Sequence, residues 1–140
     1  MVEQGKQNAE VYNEIAWYAL FTDKVEEGDI AAAIKATELA KDNPHILHTL
    51  ACLYAVTGKS NEARDLLLRS MDELDLDEPN DDYWYALGLI AEQYGERDTA
   101  ITDYRKLVKP KDILDIPTSS YRLAQTRLKA LGAAGGEAGK

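Results

Sequence analysis

His45, His48 and Cys52 stand three and four residues apart, a spacing that brings side chains onto one face of a helix, and imidazole with thiolate makes a competent zinc-ligand set. A structural zinc site takes four such ligands, and the chain holds only these two histidines and this one cysteine. His45 also lies close to the expected start of its helix, so no metal and no other cofactor is expected. A nucleophile and base pair of Cys52 and His48 finds no orienting third group and no oxyanion site in the sequence. The acidic stretch DELDLDEPNDD, residues 72–82, supplies carboxylates without the glycine that a calcium loop needs at its sixth place. No phosphate-cradling glycine loop, nucleophile elbow or zinc-protease helix motif occurs elsewhere. The residue chemistry points away from an enzyme.

Charge narrows the partners. The formal net charge of -9 works against nucleic acid and anionic lipid, whose binding depends on surplus Lys and Arg. The distribution is uneven: from Arg105 to Leu131 seven basic residues face two acidic ones, Asp112 and Asp115. Most of the negative charge lies earlier and peaks at Asp72 to Asp82, a pattern that reads as a solvated linker, or as two ends able to meet head to tail. Hydrophobic residues make up 45% and charged residues 29% of the chain, globular values, and charges interrupt every apolar stretch well short of the ~20 residues that span a bilayer. The segment MVEQGKQNAE lacks the basic-then-apolar order of a secretory signal, and a lone cysteine fits a reducing compartment, so a soluble, cytoplasmic protein is expected.

The elements that position these residues read as helices. Ala, Leu, Glu, Lys and Arg fill the periodic segments, proline is nearly absent from them, and strand-type alternation is not visible. The pattern predicts helices over about 9–23, 29–42, 44–57, 60–74, 81–94, 97–108 and 118–131. Gly28, Gly58 and Gly95 fall where helices should stop, Ser60 and Thr118 are expected N-caps, and Pro44 suits a first helical turn. Residues 1–8 and the glycine-rich tail 132–140 are expected to be flexible, leaving one domain over 9–131.

Three segments of that domain align without gaps. Trp17, Leu20, Phe21, Gly28, Ala33 and Ala40 match Leu47, Leu50, Ala51, Gly58, Ala63 and Ser70, which match Trp84, Leu87, Gly88, Gly95, Ala100 and Leu107. The offset is 30 residues for the first step and 37 for the second. Small residues at Ala33, Ala51, Ala63, Gly88 and Ala100 would let backbones approach, while Trp17, Leu47, Leu67, Trp84 and Tyr104 would fill the space between layers. These anchors resemble the tetratricopeptide-repeat (TPR) family, with WYALGLIAEQYGERDTAITDYRKL as the nearest copy and Tyr54 supplying a tyrosine of the pattern in the second. The first copy departs from it at Phe21 and Lys24.

The resemblance implies an all-α, right-handed superhelical TPR solenoid of about seven antiparallel helices, with repeats over 13–43, 44–80 and 81–109 and a capping helix at 118–131. It further implies a concave groove, lined from the residue after each anchor by Tyr18, His48, Tyr85 and, in the cap, Tyr121, followed one turn on by Thr22, Cys52, Leu89 and Gln125. The competing reading packs these rings between helices. The carboxylate-clamp subclass of the family uses Lys, Asn and Arg on these faces, where this chain has Tyr18, Thr22, Thr49, Asp82 and Ala86; an acidic peptide terminus is therefore not the expected ligand. With Asp82 and Glu92 nearby, the expected partner is a protein or peptide of basic or apolar character. A peptide-holding scaffold is the function this implies, and Tyr85→Ala is expected to weaken binding without loss of helix. Self-assembly of identical copies, or service as the terminal repeats of a larger enzyme or sensor, are the alternatives.

Overall fold

Asn43 stands before Pro44, and Asn80 before the acidic pair Asp81 and Asp82. Both asparagines open helices in the computed structural model, which describes residues 2–22, 24–109 and 119–133. Asn43 Oδ1 accepts the N–H groups of His45 at 3.0 Å and Ile46 at 3.3 Å, and Asn80 Oδ1 accepts that of Tyr83 at 3.3 Å. Each cap satisfies donors that a helix start leaves without an intrahelical acceptor. Pro44 forfeits nothing at the first helical position, and Asp81 and Asp82 favour the positive end of the helix dipole.

Among the described residues the chain is all α-helical, with seven helices and no strand: α1 Val2–Ala19, α2 Glu27–Leu39, α3 Pro44–Val56, α4 Ser60–Glu73, α5 Asp81–Gln93, α6 Arg97–Arg105 and α7 Ser120–Ala130. No described helix is long and apolar enough to cross a membrane. Helix α1 begins at Val2, ahead of the start expected near residue 9, and ends at Ala19, four residues short of the expected 23; the bounds of the other helices lie within three residues of expectation. Ser60 is the first residue of α4 and Lys59 its N-cap, one place earlier than expected. Thr118 lies outside the described residues; the described cap of α7 is Ser119, whose Oγ accepts Arg122 N–H at 3.2 Å.

Glycine ends three of these helices in one way. Gly58, Gly95 and Gly132 have φ of 88°, 80° and 78°, the left-handed region that a side chain disfavours. At each, the N–H one residue later reaches back five residues: Lys59 to Tyr54 O at 2.8 Å, Glu96 to Ala91 O at 2.9 Å and Ala133 to Leu128 O at 2.7 Å. This is the Schellman closure, which occupies the last carbonyls of a helix. Asp75, with φ 55°, closes α4 by the same bonds, Leu76 N–H reaching Met71 O at 3.1 Å. Gly132, expected to open a flexible tail, is thus the terminator of α7.

The second and third hairpins repeat in register. Pro44 to Asp81, Val56 to Gln93 and Ser60 to Arg97 each step 37 residues, so α3–α4 and α5–α6 begin and turn at equivalent places. The buried positions of their second helices follow: Ala63, Leu67 and Ser70 in α4 correspond to Ala100 and Tyr104 in α6 and to Leu107 two residues past its end. The first hairpin does not share this register. Trp17 sits in the last turn of α1, whereas Leu47 and Trp84 sit in the first turns of α3 and α5, and Leu20 lies beyond the end of its helix. Gly28 does not end a helix; it is the second residue of α2. The cause is local. Asp29 carboxylate accepts Glu26 N–H at 2.9 Å and starts α2 ahead of the glycine, while Thr22 Oγ1 donates to Ala19 O at 2.7 Å and closes α1 early.

The chain divides into two compact units, Met1–Asp77 and Glu78–Lys140, at the acidic linker. In the first, α1 packs on α2, α3 on α4, and α3 also meets α1 and α2. Ala16, Ala19, Ala33, Leu50 and Leu53 form a shared core to which Leu20, Val25, Ile30, Tyr54 and Leu66 add. Ala9, Ala36 and Ile46 form a second, joined by Tyr12 and Ala40. Ser70 Oγ donates to Pro44 O at 2.6 Å and ties α4 to the start of α3, and Arg69 pairs with Asp42, which holds φ 63° in the link before α3. In the second unit α5, α6 and α7 pack on one another around Tyr85, Leu89, Ala100, Tyr104, Ala124 and Leu128.

Candidate functional site

Helix α1 presents Tyr18 to solvent from its last turn, and Thr22, just beyond, is also exposed. Thr22 helps line an open depression of about 480 Å³ together with Lys24, Glu26, Gly28 and Asp29. Its hydroxyl is committed to Ala19 O and, at 3.0 Å, to Lys24 O. Tyr121 is half-buried on α7. The other four groove candidates sit deep: His48 and Cys52 inside the first unit, Tyr85 and Leu89 inside the second. His48 faces the Trp17 ring at 5.7 Å between centroids, and Tyr85 faces Tyr104 at 6.2 Å. Tyr85 is 2% exposed, so its truncation would open a core cavity.

The trio His45, His48 and Cys52 is split by burial. His45 is exposed at the start of α3, while His48 and Cys52 are buried, with His48 Nε2 3.7 Å from Cys52 Sγ. Among the described residues no group of three or more His, Cys, Asp or Glu is arranged to hold a metal ion. Of the remaining clamp positions, Thr49 and Ala86 are buried and Asp82 accepts the Ser120 hydroxyl.

Glu92 is also committed inside its own unit. Arg127 approaches it in a two-pronged pair, Nε to Oε2 at 2.9 Å and Nη2 to Oε1 at 2.6 Å, and Tyr104 Oη donates to Oε2 at 2.5 Å. Burial first, and then the bond to Glu92, hold the Tyr104 hydroxyl far above its ordinary pKa, while the Glu92 bond raises that of Arg127. A carboxylate held this way ties α5, α6 and α7 together and offers little to a basic ligand, contrary to the role that its place in the sequence suggested. Nearby, Lys106 Nζ lies 4.5 Å over the half-buried Trp84 ring.

The sequence reading missed Val11 and Ile15. With Tyr18 they lie four and three residues apart on α1, and all three are exposed. Their spacing is plain in the sequence, but apolar side chains at helical intervals are ordinarily assigned to the interior. In α1 the assignment is reversed, because Ala9, Ala16 and Ala19 face the core and allow close packing of α1 on its neighbours. Compared with protein-family models, curated proteins and solved structures, the chain matches none.

Proposed function

We propose that this chain is a helical-repeat module of the TPR type that holds another protein. The observation that carries the reading is the 37-residue recurrence of a whole hairpin, from its first helical residue through its turn to the buried positions of its second helix. A hairpin repeated in register cannot bury its apolar stripe alone and is stabilised by stacking, and stacked arrays present long side-chain surfaces suited to protein ligands. The right-handed solenoid is part of this proposal. Tyr18, Thr22 and Tyr121 are the groove candidates with surface to offer, and tyrosine gives a large contact area for few rotatable bonds.

The test is affinity capture from a lysate of the source cell by the full chain and by Tyr18→Ala. A discrete protein retained by the first and reduced by the second, with equal circular dichroism, supports the reading. Light scattering that shows the chain consumed by its own oligomers, with nothing else retained, removes it.

A further inference from the structure

We infer that the outer face of α1 docks a basic amphipathic helix of a partner protein. This rests on the protein-holding reading and narrows it to one face and one class of partner. Val11, Ile15 and Tyr18 are 55%, 48% and 51% exposed. At 100° per residue their spacing places them in one narrow stripe over about two turns, on the side of α1 away from the buried Ala9 and Ala16. Single exposed apolar residues need no explanation, whereas a stripe with the i, i+4, i+7 pattern is the surface that receives a second helix.

Charge selects the occupant. Glu10 and Glu14, one turn apart and both exposed, run along one border of the stripe. The last turn of α1 has no basic residue to offset the partial negative charge of a helix C-terminus. A ligand that covers Val11, Ile15 and Tyr18 while meeting these charges needs apolar residues at helical intervals with Lys or Arg beside them. An antiparallel two-fold contact between copies of this chain would set the same carboxylates against each other. An anionic lipid surface would meet those carboxylates and a chain of net charge -9.

The probe is a fluorescein-labelled helical peptide of Leu and Lys, ~18 residues or about five turns, with a Leu and Glu peptide of the same pattern beside it. Anisotropy titrations use the full chain. The Leu/Lys peptide is expected to bind and to weaken with salt. Ile15→Asp should lower its affinity by about tenfold or more, although the variant adds negative charge, because it places a carboxylate in the stripe. Glu10→Gln with Glu14→Gln should lower affinity by a few-fold and flatten the salt dependence. Leu68→Asp, at a 57% exposed residue on α4, adds the same charge elsewhere and should leave binding unchanged. The inference is overturned if wild type does not bind the Leu/Lys peptide, if Ile15→Asp binds as wild type does, if Leu68→Asp loses as much, or if the Leu/Glu peptide binds equally well. It is also overturned if light scattering shows self-association that Ile15→Asp abolishes, since a second copy then covers the stripe. A protein still captured from lysate beside a failed peptide titration would sink this inference and leave the protein-holding reading standing.

Discussion

Gly88 and Tyr104 share one space between α5 and α6. A Cβ built on Gly88 would fall inside the van der Waals envelope of the Tyr104 ring, which is fully buried and tied to Glu92 through its hydroxyl. The ring has no room to swing, so Gly88→Ala should cost about 1–3 kcal/mol, measured as a lower urea midpoint at unchanged m-value. The neighbouring Asp103 illustrates a titration cost. Burial raises its pKa above 3.8, against the opposing pull of Lys106. The folded chain therefore binds this proton more tightly than the unfolded chain, and the ionised carboxylate subtracts from stability. That cost is absent below pH 3.8 and grows as pH rises from there through the raised value. Asp103→Asn should accordingly raise the unfolding midpoint at pH 7 and leave it unchanged at pH 3. At this scale the sequence revealed the need for a small residue at Gly88, but not the commitment of Glu92, because its partners Tyr104 and Arg127 lie 12 and 35 residues away.

Elements were the most legible level. Pro44, Gly58 and Gly95 each act locally, on the turn that contains them, and each marks a helix end that the structure shows. Gly28 failed as a marker because Glu26 and Asp29 already start α2, and a helix that has started can carry a glycine in its first turn. The displaced register of α1 was illegible for a related reason: Trp17 and Leu20 look like the anchors of the later hairpins, and only tertiary packing shows that alanines occupy the core side. The shared terminator also yields a prediction. Asp75 does at φ 55° what glycine does elsewhere, so Asp75→Gly should stabilise the chain by about 0.5–1 kcal/mol. Gly95→Ala should destabilise it by about 1 kcal/mol, both read from thermal unfolding.

On the scale of the whole molecule, charge is the most direct statement the sequence makes. A net charge of -9 and an isoelectric point near 4.7 place the chain well away from neutrality at pH 7. Turbidity should therefore pass through a maximum near pH 4.7, and electrophoresis with duplex DNA at about 50 mM salt should show no retarded band. The division into two units was less legible, since the acidic linker reads equally well as a bend inside one domain. The interval between Asn43 and Asn80 has a genetic consequence. Both asparagines cap the helix that follows, so unequal crossing-over between their codons would lengthen or shorten the gene product by 37 residues without leaving a helix uncapped. Drift in the size of this lineage would then come in whole hairpins, with the joins falling where the backbone tolerates them.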